Sequence, residues 1–327
     1  MSLKVIGLSL GDLGGVGVEV TLKALLDFEK RDDCAFVIFG SAPVLFREEL
    51  KSLVERLPIR FIFDLAHIKP GEICFFSVTD YSDIVICRPD ARNGRMSVQF
   101  IEEAVKSIKE GHVHALVTAP ICKESLQMAG VSFTGHTTLL QNLSGSQEVS
   151  MAFYTPKLKT ILATIHTPLQ TVSGILNHDL LCKTILHAHE FCVSLGIRFP
   201  KVAVAGLNPH AGESGMFGSE EEDIIAPAIA DMVKRGVHVS GPYPADALYY
   251  RAYNNEFDIV VSMYHDQGLI PIKLIGFHDA VNVTVGLPFV RTSPDHGTAF
   301  DIAYKGTCNA SSMSAAMDLA IGLAHGA

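Results

Sequence analysis

Three apolar runs in this chain end on histidine. "KTILATIH" reaches His166, "KVAVAGLNP" leads through Asn208 and Pro209 to His210, and "DIVVSMYH" reaches His265, which Asp266 follows. Imidazole nitrogen suits zinc, cobalt, iron and nickel, and three protein ligands with an open position is the pattern of a catalytic metal. The separations, 44 and 55 residues, are too long for a local zinc finger, so only a fold could bring the three together. The chain holds 14 histidines, and most need no such role; "HVH" at 112–114 and "HAH" at 187–189 read as helix or helix-end residues. A single strand-end histidine is as well explained by the core. Three, each beside Pro, Asn or Asp, favour a site.

A second set of residues suits an anion. Lys273, Asn282 and Arg291 follow at nine-residue steps through a stretch that reads as strand–turn–strand. Lysine offers a point charge, asparagine an amide and arginine a planar fork, together enough for a dianion. The ordinary alternative is solvated surface charge. Arg291 argues against it, because the apolar "GLPFV" precedes it and Thr292 and Ser293 follow. In "TGHTT" (134–138), His136 and Thr137 could donate to a carboxylate; the alternative is a turn with local threonine capping. The glycine-rich "SLGDLGGVGVEV" lacks a true GxGxxG with its downstream acid, so it reads as a tight strand-to-helix turn and only weakly as a dinucleotide loop.

The elements that must carry these residues alternate. "KVIGLSL", "AFVIFG", "HALVTAP", "MAFYT", "KTILATIH", "KVAVAGLNP", "DIVVSMYH" and "AVNVTV" read as strands. Between several of them lie amphipathic stretches, "SVQFIEEAVKSIKEG" and "EEDIIAPAIADMVKRG", each closing on glycine, and "TLKALLDFEK" reads as a helix. This alternation predicts an α/β fold with mostly parallel sheets, whose ligands bind beyond the carboxyl ends of the strands.

A length of 327 residues suits two domains or one large α/β unit. A net charge of −9 without a dense Lys/Arg stripe argues against nucleic-acid binding. No apolar run approaches the roughly 18–20 residues of a membrane helix. The N-terminus lacks a signal-peptide cleavage site, so the expected location is cytoplasmic. Seven scattered cysteines without a CxxC pair read as reduced thiols.

"GDxxGxGxE", "TGHT", "LNPHAGESGMFG", "YPAD", "MYHDQGL" and "NVTVGLPFVRTSPDHGTAFDIA", in this order, resemble the 4-hydroxythreonine-4-phosphate dehydrogenase family of vitamin B6 synthesis. "DHGTAFDIA" and "GDxxGxGxE" are also similar to segments of isocitrate and isopropylmalate dehydrogenases, which use NAD without a GxGxxG loop. The resemblance implies two α/β domains, 1–130 with 290–327 and 131–289, and an active site in the interdomain cleft at the interface of a homodimer. It implies a divalent metal (zinc, cobalt or magnesium) on His166, His210 and His265, one of them from the second subunit. Substrate contacts fall on His136, Thr137, Lys273, Asn282 and Arg291. NAD or NADP would lie along the cleft, with Asp295, His296, Gly297 and Thr298 on its adenosine side. Asp246 of "YPAD" and Asp266 of "YHDQ" are the candidates for proton transfer or support of the metal. Leu13, Val18, Cys122 and Thr138 depart from the family's usual proline, proline, histidine and acidic residue. The implied reaction is NAD-dependent oxidation and decarboxylation of 4-hydroxythreonine 4-phosphate to 3-amino-2-oxopropyl phosphate. The alternatives are a D-threonate or D-erythronate 4-phosphate dehydrogenase, and a metal-dependent hydrolase or aldolase acting on a phosphorylated C4 acid.

Overall fold

The computed structural model describes residues 3–28 and 31–326. In chain order its elements begin β1 (Lys4–Ser9), α1 (Gly17–Asp27), β2 (Cys34–Ser41), α2 (Lys51–Val54), β3 (Ile59–Ile62), β4 (Ile73–Thr79), α3 (Ala91–Lys109), β5 (Ala115–Thr118), α4 (Lys123–Met128) and α5 (His136–Ser144). They continue with β6 (Ser150–Tyr154), β7 (Lys159–Leu162), α6 (Val172–Ile175), α7 (His178–Ser194), β8 (Val202–Ala205), α8 (Ala226–Lys234), β9 (Val239–Tyr243), α9 (Ala245–Tyr253), β10 (Ile259–Ser262), α10 (His265–Gly276) and β11 (Val281–Val285). β12 (Val290–Pro294) and α11 (Ser311–Gly326) close the chain. The predicted helix over 21–30 starts earlier, at Gly17; residues 29 and 30 lie outside the described residues.

Two compact units divide these elements. The first takes the chain up to Val149 and then Leu287–His325; the second is Ser150–Gly286. The expected division ran at 130/131 and 289/290. Residues 131–149 fall instead with the first unit, because α5 packs on α3.

In the first unit the strands run β3-β4-β2-β1-β5-β12, and every pair is parallel. β2, "CAFVIFGS", is buried along its whole length, as a strand covered on both faces must be. Helix α3 starts on Asp90, whose carboxylate accepts from the backbone of Arg92 and Asn93, and the chain turns at Gly111 (φ 79°).

In the second unit the order is β11-β6-β7-β10-β8-β9. β6 is antiparallel to both its neighbours; β7, β10, β8 and β9 are parallel. Leu248 of α9 and Leu269 and Ile272 of α10 pack into a core with Phe153, Leu162, Ala203 and Val260 of the sheet. Each of the larger side chains removed from water contributes roughly 1.5–3 kcal/mol, and together they fix how α9 and α10 lie on their strands.

The structure departs from the sequence-based expectation in two places. The stretch before Asn282 is no strand: residues 265–276 form α10, with Pro271 inside it. Its buried residues Leu269, Ile272 and Gly276 recur at spacings of three and four, a helical period. The predicted helix over 221–236 opens with a π-helical turn, Glu221–Ile225, before α8. β3, β4, β9 and β12 were not foreseen. No described helix is long and apolar enough to cross a membrane.

Candidate active site

β7, β10 and β8 are adjacent and parallel, and each of the three strand-end histidines follows one of them. His166 lies in the loop after β7. His265 opens α10, three residues past β10. The two rings face each other with centroids 5.7 Å apart and planes tilted by 38°. The Asp266 carboxylate lies 2.7 Å from His265 Nδ1. A carboxylate can only accept here, so Nδ1 carries the proton and Nε2 keeps its lone pair for a ligand. His210 follows β8 and packs beside Phe217, ring centroids 6.2 Å apart. It does not join the other two: among the described residues no three His, Cys, Asp or Glu side chains are arranged to hold a metal. The chain therefore brings together two of the three predicted ligands.

The remaining residues of "HDQG" now have roles. Gln267 Oε1 accepts from Met263 N (2.6 Å), at the end of β10, and its Nε2 donates to Gly206 O (2.8 Å), just past β8. One side chain thus ties two histidine-bearing strand ends. A Cβ on Gly268 would lie 2.7 Å from Leu162 Cδ2 and 2.9 Å from Ser262 Oγ, so glycine lets α10 sit against β7 and β10. Below them a buried hydroxyl chain joins Tyr249, Ser262 and Thr160 at 2.5 and 2.6 Å. Burial pushes the Tyr249 phenol up to about 12, so it stays protonated.

The predicted anion clamp is divided. Lys273 on α10 and Asn282 on β11 belong to the second unit; Arg291 on β12 belongs to the first. Lys273 Nζ lies 5.4 Å from the centroid of the Phe277 ring. Arg291 is buried, and its Nη2 donates to Thr118 Oγ1 at 2.7 Å. Burial pushes its guanidinium down to about 9, still cationic at neutral pH. His136 is the first residue of α5, with Thr137 next to it. Its ring hydrogen-bonds the Ala119 backbone, and its buried Nε2 has no partner among the described residues. Burial first, and the Arg291 charge second, hold its pKa well below the usual histidine range. The last residues of β5 and its loop, Thr118 and Ala119, thus hold both the arginine and the histidine. A buried cation beside a neutral imidazole with an idle nitrogen suits an anionic group.

Asp295, His296, Gly297 and Thr298 follow β12 in the same unit. Asp295 N donates to Ser312 Oγ (2.9 Å), and Thr298 O accepts from Val16 N (2.8 Å). A Cβ on Gly15 would lie 2.6 Å from Thr298 O, so the glycine-rich loop needs its glycine where it meets the predicted cofactor segment. Gly11 has φ 67°, and a Cβ there would lie 2.2 Å from Pro120 O. The loop is a tight turn, as its sequence suggests. Asp246 stands exposed in the first turn of α9.

Gln267, Thr118 and the hydroxyl chain were not anticipated. Their signal lies in hydrogen bonds between residues far apart in sequence, 61 positions for Gln267 and Gly206 and 173 for Arg291 and Thr118.

Two measurements check this geometry. Gln267→Leu strands the Met263 N–H and the Gly206 carbonyl and should cost about 1–3 kcal/mol in denaturant unfolding; a parent-like midpoint would contradict the tie. The second concerns His136. Its lowered folded pKa means that below about 6.5, the ordinary value, the unfolded chain takes up a proton that the fold refuses. That stability is present above this pH and is lost as the pH falls, with a slope approaching about 1.4 kcal/mol per pH unit. His136→Gln should flatten the stability profile between pH 7 and 5; an unchanged slope would refute the assignment.

The model of the family described as "Pyridoxal phosphate biosynthetic protein PdxA" matches residues 32–320. A D-threonate 4-phosphate dehydrogenase of Pectobacterium atrosepticum is 40% identical over 330 residues, covering 98% of this chain and 99% of the relative. A 4-hydroxythreonine-4-phosphate dehydrogenase of Desulforapulum autotrophicum is 41% identical over 322 residues, covering 97% and 94%. The crystal structure of a 4-hydroxythreonine-4-phosphate dehydrogenase from Klebsiella pneumoniae superposes with a TM-score of 0.89 at 40% identity, covering 98% of each chain. On this full-length likeness the chain belongs to the PdxA family, an oxidoreductase family that implies a nicotinamide cofactor.

Proposed function

We propose that this chain oxidises and decarboxylates 4-hydroxythreonine 4-phosphate, with NAD(P)⁺ as acceptor, to 3-amino-2-oxopropyl phosphate on the route to pyridoxal phosphate. The observation that carries the reading is the facing pair His166 and His265, with Asp266 holding His265 by Nδ1. This donor set fits a divalent metal: two imidazoles, one of them made more basic by a carboxylate. His166 and His265 would hold the metal, which supplies Lewis acidity toward a substrate hydroxyl and then toward the keto group. Nicotinamide supplies the hydride acceptor.

The chain's own residues do the rest. Arg291 and His136 bind an anionic group of the substrate, with His136 Nε2 as the free contact and Thr137 beside it. Lys273 and Asn282, in the second unit, also offer donors to an anion. Holding a substrate anion fixed orients the carbon to be oxidised, which can supply several kcal/mol of barrier reduction. Asp266 is engaged with His265, which leaves Asp246 for proton transfer. Asp295–Thr298 would take the adenosine side of the cofactor.

A homodimer belongs to the same reading. His210 stands apart from the other two histidines, so a third ligand would come from a second subunit. Ile270, Leu274 and Phe277 form an exposed stripe on α10 and just past it, 65%, 83% and 67% accessible. Such a stripe suits an interface with another copy.

D-threonate 4-phosphate is the second substrate reading. Relatives with that name match this chain as well as those named for 4-hydroxythreonine 4-phosphate. The dehydrogenase names weigh against a hydrolase or aldolase.

Turnover followed near 340 nm, on 4-hydroxythreonine 4-phosphate, D-threonate 4-phosphate and D-erythronate 4-phosphate, with NAD⁺ and NADP⁺, tests the proposal. The first substrate should be fastest, and a chelator should abolish the rate. A dominant rate on D-threonate 4-phosphate would move the assignment to the second reading; no reduced nicotinamide with any of the three would reject both. Leu274→Asp should convert a dimer to a monomer in light scattering, and a parent-like mass would remove that face from the interface.

A further inference from the structure

The turn that carries His210 is strained. His210, Ala211, Glu213 and Ser214 all have positive φ, at 52°, 53°, 44° and 55°. Side chains with a Cβ rarely adopt this region, and a run of them persists only where its surroundings dictate the backbone.

Glu221 supplies that constraint. It is only 3% exposed and opens the π-helical turn ahead of α8. Its Oε1 accepts from Asn208 N at 2.7 Å and its Oε2 from Asn208 Nδ2 at 2.9 Å. Asn208 Nδ2 also donates to Glu220 Oε2 at 2.7 Å. The glycines of "GLNPHAGESGMFG" clear space for this latch. A Cβ on Gly206 would lie 3.1 Å from Glu221 Oε1, one on Gly212 2.8 Å from Oε2, and one on Gly218 2.5 Å from Asn208 Nδ2. The Gly206 carbonyl is also held from the other side by Gln267.

We propose that Glu221 is a positioning residue for His210: its buried carboxylate grips both the backbone and the side chain of Asn208 and so sets where the strained turn presents the imidazole. Glu221 touches neither substrate nor metal in this proposal and acts through Asn208. The proposal rests on the reading of His210 as a metal ligand.

The latch can be broken and rebuilt. Glu221→Gln turns a donor toward the Asn208 amide donor; Asn208→Asp sets carboxylate against carboxylate. In a Glu220→Gln background, which removes the second carboxylate facing position 208, the two together restore both bonds to 221 with the polarity reversed, because the amide introduced at 221 donates to the carboxylate introduced at 208 and still accepts from its backbone N–H. Two readouts on the full chain apply: hydrogen exchange of the amides in 207–218, and titration with Co²⁺ alone. Each single variant should speed that exchange and weaken Co²⁺ binding about tenfold or more, and the double variant should recover to within about threefold of the parent. Asn208→Ala, which keeps the bond to the backbone N–H, gives a milder form of the same loss should either single variant fail to fold. Parent-like exchange and Co²⁺ affinity in the single variants, or a double variant no better than the worse single, overturns the proposal. Should the parent bind no Co²⁺, the metal reading fails, and exchange across 207–218 alone decides for or against the latch.

Discussion

Parallel pairing of β7 with β10 is the constraint on which the site depends. Thr160, Ile161 and Leu162 lie in register with Val260, Val261 and Ser262, so the chain leaves both strands at the same level. Past the ladder, the register is carried on by single bonds: Ala163 N to Ser262 O, and Thr164 Oγ1 to Met263 O at 2.7 Å. Two residues later on each side stand His166 and His265. No short-range motif places these imidazoles; two strand ends a hundred residues apart in sequence do. The buried hydroxyls of Thr160, Ser262 and Tyr249 hold the same two strands from beneath, where a slip of one residue would turn both histidines away.

Electrostatics shapes the surroundings of Arg291 in the first unit. A buried arginine is costly unless its donors are used, and the histidine beside it cannot share its charge. The fold resolves this by keeping His136 neutral and anchoring Arg291 to Thr118. The result is a positive, donor-rich place already formed by the fold itself, where an anion would need little ordering to bind. By comparison His166 is exposed and His265 partly so.

Much of this was legible in the sequence, for physical reasons that differ from residue to residue. The strand-end histidines could be read because apolar runs of fixed type precede them and parallel sheets place ligands at carboxyl ends. The burial of Arg291 could be read from the apolar and hydroxyl residues around it. α10 could not. "GLIPIKLIG" is apolar on all sides, since Ile270 and Leu274 face outward, so no helical stripe stands out and Pro271 argues against a helix. The unit boundary was misplaced because residues 131–149 carry no composition shift; only the packing of α5 on α3 assigns them. Thr118, Gln267 and Glu221 are ordinary polar residues until their partners are known, and those partners are backbone or amide groups that leave no pattern in the chain. The separation of His210 from its expected companions was equally invisible, because spacing in sequence carries no information on which strand-end loops converge.

X-ray absorption at the cobalt edge of the Co²⁺-loaded protein tests the pairing of His166 with His265 directly. Imidazole scattering from at least two rings is expected in the parent, with loss of one ring's share in His166→Ala and again in His265→Ala. A cobalt ion surrounded by oxygen alone, or a spectrum that neither substitution alters, would contradict it.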